Sequence, residues 1–306
     1  MSSVKLVLSP KEKSLGDFTV RRVLPSPQLK LVGPFIFFDH MGPAQLAPGR
    51  GVGVRPHPHV CLSTVTYLFE GAMLHRDTLG TEIEIRPGAV NLMTAGKGIS
   101  HSERSPEALL ETGHPLHGIQ TWLALPQEFE EMDPRFDHYP AADLPETVID
   151  NVTIRMIMGE GYDLASPVAF PHPTFYASVH TDAGGSIPLP EAVTERAFYV
   201  VEGSAEFEGT TYSEGQMAVL ETGAVPPLTL GANTKVMIAG GEPMDGRRWI
   251  EWNFVASSKE RIEQAKADWR ASIAGGWTDT PFTMPPKENE YIPLPGDPEA
   301  DAPAGS

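Results

Sequence analysis

Two stretches of this 306-residue chain repeat one another, and that repeat limits the fold more than any other feature. The first reads Val65-Thr66-Tyr67-Leu68-Phe69-Glu70-Gly71 and continues as Gly88-Ala89-Val90-Asn91-Leu92-Met93-Thr94-Ala95-Gly96. The second reads Ala197-Phe198-Tyr199-Val200-Val201-Glu202-Gly203 and continues as Gly215-Gln216-Met217-Ala218-Val219-Leu220-Glu221-Thr222-Gly223. Tyr67 and Gly71 meet Tyr199 and Gly203 at an offset of 132, whereas Gly88 and Gly96 meet Gly215 and Gly223 at an offset of 127. A period this long marks a duplicated domain, not a solenoid, and two domains suit the length. The runs are short, rich in β-branched and aromatic residues, and broken by glycine and proline, which predicts an antiparallel sandwich or barrel in each half.

The expected division is a first domain over residues 1–145, a second over 146–275, and an extended tail over 276–306. Residues 127–146, with Asp133-Pro134, Tyr139-Pro140 and Leu144-Pro145, read as the connection. One helix is expected over 258–273, with Ser257 as N-cap, Ile262, Ala265 and Trp269 on one face, and Gly275-Gly276 as the stop. From Lys287 onward five carboxylates face one lysine among many prolines, so residues 285–306 are expected to be solvated and disordered.

Charge and apolar pattern exclude several functions. A formal net charge of −17 repels phosphate backbones, and no Lys/Arg-rich run offsets it, so direct nucleic-acid binding is not expected. No apolar run is long enough to span a bilayer and no hydrophobic leader follows Met1, so no membrane association is expected. A single cysteine, Cys61, fits a cytoplasmic protein.

The chemistry lies in two short pairs. In His57-Pro58-His59 the residues two apart on a strand share a face, so both imidazoles point one way. The same parity carried through Cys61, Ser63, Val65, Tyr67 and Phe69 reads as an inward face. Further on, Gly96-Lys97-Gly98 turns the chain into Ile99-Ser100-His101-Ser102-Glu103, where His101 and Glu103 share a face. On neighbouring antiparallel strands the two pairs converge inside a small barrel. Three imidazoles and one carboxylate suit one divalent first-row ion, Fe, Mn, Zn, Ni, Co or Cu, and open coordination positions mark a reactive site. The repeat supplies a control. Its offsets carry His57 and His59 onto Leu189 and Glu191, and His101 and Glu103 onto Leu228 and Leu230. The second half keeps the scaffold without the four ligands, so it is expected to bind no metal.

These residues carry a resemblance. Pro34-Phe35-Ile36-Phe37-Phe38-Asp39-His40-Met41-Gly42-Pro43, Pro56-His57-Pro58-His59 and Met93-Thr94-Ala95-Gly96-Lys97-Gly98-Ile99-Ser100-His101-Ser102-Glu103 resemble the pirin family of the cupin superfamily. So do His117-Gly118-Ile119-Gln120-Thr121-Trp122 and Ile238-Ala239-Gly240-Gly241-Glu242-Pro243. The resemblance implies an all-β bicupin, two tandem cupin barrels with a short C-terminal helix, and a metal held in the first barrel by His57, His59, His101 and Glu103. It implies iron(II) as that metal and, as in several family members, quercetin 2,3-dioxygenase activity: opening of a flavonol by O2 with release of CO. Other members act through protein partners, so a metal-dependent redox-sensing regulator is the alternative. The chain departs from other flavonol dioxygenases in one respect. Where many cupins place a Glu after His-x-His, Ser63 stands here, which leaves Glu103 as the candidate base.

Met93, Gln120 and Trp122 are expected to line the pocket, with His117 near its mouth. His40 is not expected to be a ligand. His75, His114, His138, His172 and His180 read as solvated or packed, and Cys61 as a small buried apolar residue near the site.

Overall fold

A computed structural model describes residues 2–191 and 193–297. The chain forms two compact units, each built mainly of two antiparallel sheets, the class expected. One, the front unit, has a four-stranded sheet in the order Gly53–His59, Ile99–Arg104, Met73–Asp77, Glu82–Ile85. Its second sheet runs Arg135–Tyr139, Val90–Thr94, Leu62–Glu70, His114–Ala124 and on to residues 41–46 of the strand Phe35–Leu46. The rear unit repeats the four-stranded sheet one for one as Gly185–Ile187, Leu228–Leu230, Ser204–Phe207, Thr210–Ser213. Its larger sheet holds Met217–Leu220, Glu195–Glu202, Thr234–Gly241 and Thr174–Thr181 in the matching order. The duplication read from sequence is therefore realised strand by strand.

The units are not the consecutive segments 1–145 and 146–275. The rear unit takes the chain through Glu12, Arg21–His40 and Tyr139–Met244, and the front unit takes Lys13–Val20, Met41–His138 and the chain from Asp245 on. The physical reason is strand pairing at long range: Val4–Leu8 pairs antiparallel with Met217–Leu220 and so joins the rear sheet.

The C-terminal helix, Lys259–Ala274, buries Ile262, Ala265 and Trp269, as the sequence pattern predicts. They pack with Val60, Cys61, Phe254, Phe282 and Leu294. The cap is Ser258, which accepts from the Arg261 amide, and not Ser257, whose own amide and hydroxyl donate to the Glu130 carboxylate. Trp269 is fully buried, and removing a ring of this size from a core costs about 3–5 kcal/mol.

The segment after the helix is ordered where composition reads it as solvated. Leu294 is buried, Trp269 Nε1 donates to the Ile292 carbonyl, and Glu288 accepts from Ser102 Oγ and from Arg104. Its acidic side chains find partners among the few basic ones, which charge counting along the sequence does not reveal. Residues 298–306 of the expected tail lie outside the described residues.

Candidate metal centre

The first pair of histidines ends the strand Gly53–His59 and the second pair sits on Ile99–Arg104, its antiparallel neighbour. Ile99 lies opposite His59 and His101 opposite His57, but Glu103 lies opposite Val54. The first strand thus carries one extra residue, a β-bulge that disrupts the ladder locally. Beside the bulge the Arg55 carbonyl accepts from His57 Nδ1 at 2.9 Å. Entry to the second strand requires Gly96, whose φ is +50° and whose Cα faces the Met132 carbonyl so closely that any Cβ would overlap it.

The three imidazoles converge. Ring centroids lie 5.0 Å apart for His57 and His59, 4.4 Å for His57 and His101, and 5.0 Å for His59 and His101. One candidate ligand nitrogen from each lies within 4.8 Å of the other two. All three rings are buried. His59 Nδ1 donates to the Asn253 carbonyl at 2.8 Å, as His57 Nδ1 does to Arg55, so both rings carry hydrogen on Nδ1 and keep a lone pair on Nε2. His101 Nε2 is buried with no hydrogen-bond partner. Leaving such a group unsatisfied costs about 1–3 kcal/mol, which a metal ion would relieve. Burial holds His57 down to about 4, and holds His59 and His101 well below the usual imidazole range, with the neighbouring rings adding to the effect. Neutral rings at neutral pH are what a first-row cation requires. The donor set fits a divalent metal.

Glu103 is buried on the same strand, two residues from His101, but its carboxylate stands outside the close group of ring nitrogens. Burial pushes it up to about 7, against the lowering effect of Gln120, whose Nε2 donates to Oε1. Gln120, expected to line a pocket, therefore tethers the carboxylate. Trp122 stands edge-on to His59 with centroids 4.9 Å apart. Met93 is buried in a small apolar cluster with Ala95 and Ile99. Ser63 donates to Thr94 Oγ1. His117 lies 4.8 Å from Phe69, and His40 belongs to the rear unit, where it meets Tyr199 Oη.

Two residues are buried as read from sequence but are placed differently. Cys61 has a φ of +57°, which ends one strand and breaks the parity before the next begins at Leu62. Its side chain packs with Phe254 and Trp269 instead. His75 is not a bystander: its Nδ1 is 3.4 Å from His101 Nδ1 and its Nε2 is 2.9 Å from Asp77 Oδ2. A signal for it was present in the repeat. The offset drops from 132 to 127 because Gly71 to Gly88 spans five more residues than Gly203 to Gly215, and that longer hairpin carries His75 and Asp77.

A family model described as Pirin matches residues 17–123, and one described as Pirin C-terminal cupin domain matches residues 176–274. The chain is 46% identical over 296 residues to a pirin-like protein of Caulobacter vibrioides, covering 95% of this chain and 99% of that one. The chain belongs to the pirin family. Human pirin is 30% identical over 290 residues, covering 90% of this pirin and 95% of its own length. A crystal structure of quercetin 2,3-dioxygenase from Acinetobacter baumannii superposes with a TM-score of 0.87 at 33% identity, covering 95% and 94% of the two chains. Both units of this pirin are cupin domains. No helix among its described residues is long and apolar enough to cross a membrane.

Proposed function

We propose that this pirin is a metal-dependent dioxygenase that opens a flavonol of the quercetin type with O2 and releases CO, using one iron(II) held by His57, His59, His101 and Glu103. The observation that carries the reading is the trio of buried, neutral imidazoles with ring nitrogens within 4.8 Å of one another beside a buried acid. Similarity to the A. baumannii quercetin 2,3-dioxygenase supports the substrate class. When bound, the metal supplies Lewis acidity and a route for electrons to O2.

The protein's own residues do the rest. The carbonyl tethers on His57 and His59 hold their rings so that no reorientation is needed on metal binding. Glu103 is the base for the flavonol hydroxyl proton. Gln120 Nε2 donates to its Oε1 and so orients the carboxyl, leaving Oε2 to serve as ligand or, when free of the metal, to take the proton, a state that burial favours. Trp122, buried against His59, helps exclude water from the rings.

The test is O2 uptake by protein loaded anaerobically with iron(II). The expected result is uptake that depends on quercetin, with one CO released per O2 consumed. No turnover with Fe, Mn, Co, Ni or Cu would overturn the enzyme reading and favour a metal-dependent module that acts through a protein partner.

A further inference from the structure

We infer that Asp77 and His75 are positioning residues that fix which nitrogen His101 turns toward the metal. The inference rests on the metal reading above and concerns a pair that no ligand assignment includes. Met73–Asp77 runs antiparallel to Ile99–Arg104, with Asp77 opposite His101 and His75 opposite Glu103. All three members of the series Asp77, His75 and His101 are buried.

The hydrogen positions follow from what each group can do. Asp77 Oδ1 accepts from the backbone amides of Leu79 at 2.9 Å and Thr81 at 3.2 Å, which locks the carboxylate in the turn after the strand. Its Oδ2 faces His75 Nε2 at 2.9 Å, so that nitrogen donates. The two facing Nδ1 atoms of His75 and His101, 3.4 Å apart, can share only one hydrogen. With one ring hydrogen on His75, held at Nε2 by Asp77, its Nδ1 accepts, His101 donates from Nδ1, and His101 Nε2 is left with a bare lone pair. That is the unpartnered buried atom. His101 thus reaches the same tautomer as His57 and His59, but through a side-chain relay where they use backbone carbonyls. His75 is itself held by stacking on Phe136, with centroids 4.5 Å apart and planes 28° from parallel.

Asp77→Asn tests the relay without changing shape. The Leu79 and Thr81 amides keep the amide oxygen, so the NH2 group meets His75 Nε2 and forces hydrogen onto its Nδ1, against the hydrogen of His101. Cobalt(II) affinity, read from the visible absorption of the protein, should fall about 10–100-fold while the fold is retained. In metal-free protein, nitrogen NMR of the imidazoles should find His101 protonated at Nδ1 in wild type and at Nε2 in D77N. Two further variants separate relay from packing. His75→Gln keeps an acceptor for His101 and loses the stacking; it should stay within about threefold of wild type. His75→Phe keeps the stacking and cannot accept; it should fall as D77N does. The reverse order, or wild-type protein with His101 protonated at Nε2, overturns the relay. Wild type that binds cobalt(II) while D77N and H75F bind it equally well overturns the relay alone. Wild type that binds none overturns the metal reading, and the relay with it.

Discussion

The two cupin domains share strand order and differ in what fills the matching positions. In the rear one, Leu189, Leu228 and Leu230 belong to a continuous apolar cluster with Phe198, Phe207 and Val236. Each such side chain contributes about 1.5–3 kcal/mol by leaving water. In the front one the corresponding positions hold His57, His101 and Glu103, whose burial is unfavourable unless each is hydrogen-bonded. The tethers to Arg55, Asn253, His75 and Gln120 meet most of that need and leave His101 Nε2 open. The front domain also receives support on the outward side of the ligand strands. Ser100 Oγ donates to the Thr283 carbonyl, Ser102 Oγ to Glu288, and the Ile292 amide to the Pro56 carbonyl. One scaffold therefore serves as a packed core in one copy and as a polar site in the other, and the polar copy carries additional chain to brace it.

Exchanging single residues between the copies should break this contrast. The largest effect is expected from His101→Leu, which installs the residue found at position 228. Metal content and quercetin-dependent O2 uptake should both be lost, while unfolding of the metal-free protein changes by no more than about 3 kcal/mol, because removal of the unpartnered Nε2 offsets the loss of the donor to His75 Nδ1. The converse exchange, Leu228→His, should destabilise the chain by about 3–4 kcal/mol, since it buries a polar ring among apolar neighbours, and should add no metal. A second equivalent of metal in L228H would show that the rear domain differs by ligands alone.

A smaller effect sharpens the electrostatic side. Glu103 is pushed from its ordinary 4.5 to about 7 by burial. In metal-free protein the folded chain therefore keeps a proton that the unfolded chain has lost between those values. Its contribution is favourable at low pH and is lost as pH rises through that window. His57, lowered from 6.5 to about 4, acts oppositely: its contribution is lost as pH falls. Glu103→Gln removes the first slope and keeps the second. Denaturant titrations after metal removal should find the advantage of E103Q over wild type growing by roughly 2–3 kcal/mol from pH 5 to pH 8. An advantage that is flat with pH would mean that Glu103 is ionised throughout.

Local features made much of this legible. The two-residue parity of a strand and the glycine turn before Ile99 are enough to gather His57, His59 and His101, and the helix is written in the spacing of Ile262, Ala265 and Trp269. What stayed hidden depends on contacts distant in sequence. Val4–Leu8 joins a strand more than two hundred residues away, and Glu288 is neutralised by Arg104. Gln120 reads as pocket lining until Glu103 is seen beside it. His75 reads as a packed histidine until the register brings its strand alongside His101. Cys61 misled because a single positive φ reverses the parity on which its placement relied.

On the proposed reading the metal lies in the front domain, against the Nε2 atoms of His57, His59 and His101, and the rear domain holds none. Anomalous scattering from crystals grown with iron(II), recorded at the iron edge, tests it most directly. The expected map has one peak per chain, within coordination distance of all three nitrogens, and nothing among Leu189, Leu228 and Leu230. Fully loaded protein whose iron lies elsewhere, or no peak at those rings, would contradict it.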